Sequence, residues 1–331
     1  MKKDGKKKSK TRRDTRIASA GLDPHGNGGI VNPPVYHTST VLFPTVKDLK
    51  RAVDDPFNNI YYGRFGTPTS LAFEEAVAEI EGGEKAIATS SGLAAITCAL
   101  TAFLKSGDHL LVADTVYEPT RKFCDGLLRG FGVETEYYDP LIGGAIAALI
   151  RDTTRIVFME SPGSLTFEVQ DVPAITAAAK ERGVVSILDN TWGTPLFFHP
   201  FEHGVDIAIE AATKYISGHA DAMLGVIITN EPYFKRLKTV TVALGNSVGP
   251  DDCYLGLRGL RTLAVRMPRH QETGLTLARW LADRAEVARV LHPALPGDPG
   301  HELWKRDFTG SCGLFSVELH PVAKEKVVAM L

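Results

Sequence analysis

Lys214 is the only lysine in the stretch EAATKYISGHADAMLG, which spans residues 210–225. It follows the apolar run at 205–209 and precedes a glycine-containing turn, so we expect it at the end of a buried strand. A lysine in this position is either an exposed side chain or an amine that forms an imine with an aldehyde. We interpret the neighbouring His219 as a structural residue of the turn rather than as a catalytic acid.

Three other strand ends carry residues that could do chemistry. Asp189 follows a largely apolar run and is either a structural hydrogen-bonding group or a carboxylate that keeps a ring nitrogen protonated. Tyr117 is either a core aromatic or a flat face on which a ring stacks. Ser91 and Gly92 open a predicted helix, whose free N–H groups and positive dipole end suit a phosphate, although many such glycines serve turn geometry alone.

The elements that would position these residues alternate along the chain. Five short apolar runs are separated by helical patterns, and these runs span residues 85–90, 109–114, 155–160, 184–190 and 205–212. Continuous Val, Ile and Leu runs of this kind indicate a largely parallel sheet covered on both faces. Ligands bind beyond the carboxyl ends of such strands, so the four features should meet in one crevice. A phosphate seat, a stacking face, a carboxylate and an amine are together what pyridoxal phosphate requires.

The remaining chain divides into a leader and a smaller domain. We predict a leader at 1–60, a cofactor-binding domain at 61–250 and a small α+β domain at 251–331. The small domain should contain two helices on either side of Pro268, two strands within 287–295 and 312–319, and a helical pattern at 323–331.

Composition excludes several classes of protein. The chain has 331 residues, 44% of them hydrophobic and 23% charged, with neither a membrane-length apolar run nor a signal peptide. Its four cysteines are far apart, so we expect buried thiols of a cytoplasmic protein rather than a metal site or a disulfide framework. Residues 2–13 carry a net charge of +7 while the whole chain carries −2, and we interpret this arm as a solvated, partly disordered segment that does not bind nucleic acid.

Five segments resemble the Cys/Met-metabolism family of pyridoxal-phosphate-dependent enzymes, and the resemblance covers nearly the whole chain after the basic arm. These segments are YYGRFGTPT (61–69), SSGLAA (90–95), ESPGS (160–164), LDNTW (188–192) and ATKYISGHADAMLG (212–225). The resemblance implies the fold-type-I architecture of the family, with a mainly parallel, seven-stranded type of sheet. It also implies pyridoxal 5'-phosphate as the cofactor and an amino acid as the substrate.

The resemblance assigns roles to residues of this chain. Lys214 would hold the cofactor's aldehyde and move the α-proton, Asp189 would pair with the ring nitrogen, and Tyr117 would stack on the ring. Tyr62 and Arg64 would reach the site of a neighbouring subunit, which implies a homodimer with shared sites and, by analogy, a homotetramer.

The family pattern also assigns the phosphate contacts. Ser91 would be one of the residues that bind the cofactor. The amides of Gly92 and Leu93 and the Thr213 hydroxyl would hold its phosphate.

Three positions depart from the wider family and match its β-eliminating branch. They are Ala211, Ser164 and Trp192, where many relatives carry serine, asparagine and phenylalanine respectively. This branch cleaves cystathionine, so we expect that activity. The alternatives are a cysteine desulfhydrase, a γ-acting relative, or a catalytically weak regulator that binds the cofactor. The family's carboxylate-binding arginine has no counterpart here, and we expect relatives to extend beyond Leu331, with the small domain incomplete.

Overall fold

The computed structural model describes residues 12–330 and contains a seven-stranded sheet. Its strands are β1 Lys85–Thr89, β2 His109–Ala113, β3 Glu134–Tyr138, β4 Thr154–Glu160, β5 Val185–Asp189, β6 Ile207–Glu210 and β7 Gly225–Thr229. Their order across the sheet is β1-β7-β6-β5-β4-β2-β3. The five predicted strands are confirmed, and the structure adds β3 and β7. β3 lies at the edge of the sheet, where the polar sequence ETEYY is tolerated, and that sequence has no apolar run from which a strand could be predicted.

Strand direction places the site at one edge of this sheet. β7 pairs antiparallel with both β1 and β6, whereas β2 to β6 pair parallel with one another. Six strands therefore run in the same direction and only β7 is reversed. The carboxyl ends of the six strands share one edge, as the mainly parallel sheet predicted, and β7 enters the sheet from that edge.

Helices flank the sheet on both faces. The helices of this region are α1 Arg13–Ser19, α2 Val46–Asp54, α3 Pro68–Glu81, α4 Gly92–Phe103, α5 Glu118–Phe123, α6 Val172–Glu181, α7 Thr194–Phe197 and α8 Glu231–Ala243. The connections through α4 and α5 move across the sheet towards β3, whereas those through α6 and α7 move back towards β6. Because parallel crossovers are right-handed, these two sets lie on opposite faces of the sheet.

The prediction of two helices on either side of Pro268 is wrong. A single helix, α9 Pro250–Ala282, continues through this proline. Proline removes one backbone hydrogen bond, but buried contacts on both sides keep the axis helical: Leu263 and Met267 precede the proline, and Ala278 follows it. α9 also supports the turn after Lys214, because a Cβ on Gly259 would overlap the carbonyl groups of that turn.

Two further strands form the small sheet. The two predicted strands are present as β8 Val287–Leu291 and β9 Ser316–Leu319, they pair antiparallel, and α10 His301–Asp307 lies between them in the chain. The predicted terminal helix is α11 Lys324–Met330, and Leu331 lies outside the described residues.

The described part of the basic arm is ordered against the large sheet's helices. Residues 2–11 of the arm lie outside the described residues. Arg13 begins α1, and its guanidinium donates to the carbonyls of Pro195 and Leu196. The remaining leader is irregular apart from α2, and residues 28–43, which include Pro33 and Pro34, are largely free of regular structure.

Candidate active site

Lys214 and Tyr117 meet at the carboxyl edge of the sheet. The Lys214 Nζ atom lies 5.5 Å from the centroid of the Tyr117 ring. The Lys214 side chain is exposed, and Tyr117 is 42% exposed, so both groups face an open crevice. Tyr117 is therefore not a core aromatic residue, and its ring is available for stacking. The Lys214 amine is accessible to a ligand.

Asp189 lies beneath this crevice as the last residue of β5. It is 8% exposed, and its Oδ1 atom accepts the Thr191 backbone N–H at 3.0 Å. Burial raises the pKa of Asp189, while the hydrogen bonds from Thr191 and the positive charge of Lys214 oppose that rise. A buried carboxylate of this kind gains most from a cationic partner, such as a protonated ring nitrogen.

The start of α4 offers free backbone donors to the same edge. Ser91 caps the helix, with its Oγ atom accepting a first-turn N–H at 3.0 Å. Within the described residues, the N–H groups of Gly92 and Leu93 have no acceptor. Helix N-terminal N–H groups bind phosphate well because they combine hydrogen bonding with the positive end of the dipole.

Glycines hold this helix start close to the neighbouring strands. A Cβ on Gly92 would lie 2.7 Å from the Ala211 Cβ atom. A Cβ on Gly225, the first residue of β7, would overlap the Ser91 carbonyl. The reversed strand β7 thus packs directly against the predicted phosphate seat, which sequence analysis did not anticipate.

The Thr213 hydroxyl already makes hydrogen bonds to the backbone of Leu224. Its hydroxyl accepts the Leu224 N–H at 2.8 Å and lies 3.2 Å from the Leu224 carbonyl, to which it donates. A phosphate would have to compete with that carbonyl for the hydroxyl proton.

Within this chain, Tyr62 and Arg64 contact the leader and α8 respectively. Tyr62 is 40% exposed and forms an isolated bridge with Thr40. The Arg64 guanidinium donates to the Val242 carbonyl and lies 5.1 Å from the centroid of the Phe65 ring. Their assignment to a neighbouring subunit's site stays a prediction.

Glu160 is a residue of the site to which sequence analysis gave no role. It ends β4 next to Asp189, is 9% exposed, and accepts hydrogen bonds from the Tyr117 N–H at 2.8 Å and the Ser164 hydroxyl at 2.5 Å. Burial, together with the charge of Asp189, raises the pKa of Glu160 to about 8. The only feature of the sequence that could have indicated a role for Glu160 is its position at a strand end, within the segment ESPGS.

The other positions singled out in the sequence have structural contacts. The Trp192 Nε1 atom donates to the Leu314 carbonyl at 3.0 Å, which joins the large sheet's crevice to the small domain. The His219 Nδ1 atom lies 2.8 Å from the Ser217 carbonyl within the turn, where the structural interpretation placed it.

A second group of buried polar residues lies behind Asp189. The Asn190 Nδ2 atom donates to Glu81 Oε1 at 2.7 Å, and Glu210 ends the neighbouring strand β6. Burial raises the pKa of Glu81 to about 8, with opposition from Asn190 and Arg13. Burial also raises the pKa of Glu210, and the charges of Glu81 and Asp189 add to that rise.

These residues fit pyridoxal phosphate. The crevice combines the Lys214 amine, the Tyr117 ring, the buried carboxylate of Asp189 and the open N–H groups of α4. Within residues 12–330, no group of three or more His, Cys, Asp and Glu side chains could hold a metal ion. No helix in the same range is long and apolar enough to span a membrane, and all four cysteines are buried without a disulfide.

Comparison with known proteins agrees with this geometry. The sequence profile described as "Cys/Met metabolism PLP-dependent enzyme" matches residues 14–331. The chain is 43% identical to cystathionine β-lyase MetC of Escherichia coli over 92% of this chain and 78% of that protein. It is 42% identical to the L-alanine/L-glutamate racemase of Wolbachia pipientis, over 92% of this chain and 77% of that protein.

A solved structure shows the same fold. The crystal structure of metB from Corynebacterium glutamicum matches with a TM-score of 0.88 and 30% sequence identity. The match covers 94% of this chain and 79% of that chain.

Proposed function

This chain belongs to the Cys/Met metabolism family of pyridoxal-phosphate-dependent enzymes, and we propose that it is a carbon–sulfur lyase that cleaves L-cystathionine by β-elimination. The products are homocysteine, pyruvate and ammonia, which places the reaction in methionine biosynthesis. The observation that carries the proposal is the meeting of Lys214 and Tyr117 above the buried carboxylate of Asp189. The similarity to the Escherichia coli cystathionine β-lyase supports the choice of reaction within the family.

Pyridoxal phosphate, when bound, supplies an electron sink for the negative charge that forms at the substrate's α-carbon. Asp189 would keep the ring nitrogen protonated, because its buried carboxylate is stabilised by a cationic partner. Tyr117 would cover one face of the ring. The N–H groups of Gly92 and Leu93 would hold the phosphate, with Thr213 beside them.

Lys214 would perform the proton transfers of the reaction. Its Nζ atom would remove the α-proton, and the bond between the β-carbon and sulfur would then break with the electron pair leaving on sulfur. A proton delivered to this sulfur would complete homocysteine, and water would hydrolyse the remaining three-carbon fragment to pyruvate and ammonia. Because Lys214 is reachable from the crevice yet adjacent to Tyr117 and Asp189, it can bind the aldehyde first and serve as a base after substrate displaces it.

The proposal extends to assembly and location. We infer a homodimer in which Tyr62 and Arg64 complete the neighbouring site, a tetramer built from two such dimers, and a cytoplasmic enzyme that does not bind nucleic acid or membranes.

A product assay on the purified, cofactor-loaded protein tests the reaction. With L-cystathionine we expect equimolar pyruvate and homocysteine, which Lys214→Ala should abolish and the surface control Lys235→Ala should retain. Formation of 2-oxobutyrate would instead indicate γ-elimination. Pyruvate from cysteine without cleavage of cystathionine would indicate a desulfhydrase, and interconversion of alanine enantiomers without either product would indicate a racemase.

A further inference from the structure

Three neighbouring strands end in buried acidic residues at the carboxyl edge of the sheet. These are Glu160 on β4, Asp189 on β5 and Glu210 on β6, and each is at most 9% exposed. Glu160 and Asp189 are directly paired in the parallel register. Lys214 is the cation that interacts with all three carboxyl groups. One positive charge cannot compensate three buried negative charges, so the three carboxyl groups cannot all be ionised together. They are therefore not equivalent in the site.

Glu160 differs from the other two because both of its oxygen atoms are engaged by parts of the crevice wall. Its Oε2 atom accepts the backbone N–H of Tyr117 at 2.8 Å, and its Oε1 atom accepts the Ser164 hydroxyl at 2.5 Å. Tyr117 directly precedes α5, on the turn that follows β2, while Ser164 lies on the loop that follows β4. One side chain therefore ties two separate loops together at the place where the Tyr117 ring faces Lys214.

These two contacts add to the backbone hydrogen bond from the Ser164 N–H to the Thr115 carbonyl, at 2.7 Å, and restrain the backbone from which the Tyr117 ring projects. The ring is 42% exposed, so packing from this chain holds it only on part of its surface. The N–H donated to Glu160 is the Tyr117 contact nearest to the ring's point of attachment. Its loss would allow the ring to shift relative to Lys214 without disturbing the strands beneath.

We propose that Glu160 is a positioning residue of the active site, which holds the Tyr117 ring against the cofactor by bridging the Tyr117 backbone and the Ser164 hydroxyl. The proposal rests on the proposed function, because it takes the crevice as the pyridoxal-phosphate site. A consequence of its buried location is that Glu160 gains negative charge beside Lys214 as pH rises through its raised pKa of about 8.

Four variants separate positioning from charge. Glu160→Gln can accept the Tyr117 N–H with its amide oxygen and donate to the Ser164 oxygen with its amide nitrogen, so it keeps both links but cannot ionise. Glu160→Ala loses both links. Glu160→Asp keeps an ionisable carboxyl group but is one methylene too short to make both links. Glu210→Gln is the matched control, because it removes a buried carboxyl from the same row without a contact to Tyr117.

The measurements are the Kd of the cofactor-free protein for pyridoxal phosphate and the circular dichroism of the bound cofactor's visible band, which reports ring orientation. We expect Glu160→Ala and Glu160→Asp to raise the Kd at least about tenfold and to change the visible dichroism, because the hydrogen bond that holds the Tyr117 backbone is lost. Glu160→Gln should stay within about threefold of wild type, as should Glu210→Gln. Thermal melting identifies any variant that does not fold. If Glu160→Ala does not fold, the result for Glu160→Asp tests the proposal in its place.

A pH titration of the visible band gives a second test, because a purely structural role of Glu160 would not change the midpoint pH of this titration. Ionisation of Glu160 favours the protonated chromophore, so Glu160→Gln should shift the midpoint of the titration to lower pH by about one unit. Wild-type Kd and dichroism in folded Glu160→Asp or Glu160→Ala would overturn the proposal, as would a Gln variant as weak as the Ala variant. Failure of the wild-type protein to bind pyridoxal phosphate would instead refute the proposed function.

Discussion

Glu81 should make the stability of this protein depend on pH in a direction opposite to that of most carboxylates. It is 1% exposed at the end of α3 and faces Asn190, Glu210 and Arg13. Burial raises its pKa from 4.5 to about 8. Below pH 4.5 the group is protonated in both the folded and the unfolded states. As pH rises towards 8 the unfolded chain releases this proton while the folded protein retains it, so the free energy of unfolding falls.

The magnitude follows from the size of that window. Between pH 5.5 and 7.5 the unfolded state lacks the proton and the folded state keeps it, so the contribution of Glu81 should fall by roughly 3 kcal/mol. Glu81→Gln removes this titration, and its amide oxygen can still accept the hydrogen bond from Asn190. Between pH 5.5 and 7.5 we therefore expect the free energy of unfolding of the variant to fall by roughly 3 kcal/mol less than that of the wild type.

Urea denaturation at pH 5.5 and 7.5 and equal protein concentration measures the effect. Glu79→Gln is the control, because it removes a carboxyl group from the surface of the same helix, where Glu79 pairs with Arg16. This control should follow the wild-type pH dependence. Equal losses of unfolding free energy in wild type and Glu81→Gln would refute the assignment of a retained proton to Glu81.

Three further predictions concern the cofactor site. Asp189→Ala should still bind the phosphate but lose several kcal/mol of transition-state stabilisation, and near-normal kcat/KM on cystathionine would contradict its role. Gly92→Ala should weaken pyridoxal-phosphate binding, because the new Cβ would lie 2.7 Å from the Ala211 Cβ atom and displace the helix start; unchanged affinity by visible titration would argue against the α4 phosphate seat. Mixing inactive Lys214→Ala and Arg64→Ala chains should restore part of the activity if subunits share sites, whereas mixed dimers without activity would contradict sharing.

Residue types and local patterns were enough to predict a candidate pyridoxal-phosphate site from the sequence, whereas the reaction was expected from the family resemblance. Lys214, Asp189 and Ser91–Gly92 each follow an apolar run that became a strand, at β6, β5 and β1 respectively. Parallel strands bring their carboxyl ends to one edge, so this pattern predicts their convergence without long-range information. The helical periodicity of α4 and α6 was likewise readable, because amphipathic spacing is a local property.

Tertiary packing decided the features that local patterns could not reveal. β7 is reversed and enters beside the phosphate seat, and close contact with Ser91 requires glycine at Gly225. α9 continues through Pro268 because buried contacts on both sides outweigh one missing hydrogen bond.

The role of Glu160 also depends on the fold rather than on its sequence neighbours. Its hydrogen bond to Tyr117 joins residues 43 positions apart, and its direct partner in the sheet is Asp189. The sequence therefore determined which groups could do chemistry and at which strand ends they lie. Only the folded chain determined their burial, their hydrogen-bond partners and their charges, because these depend on residues brought together from distant segments.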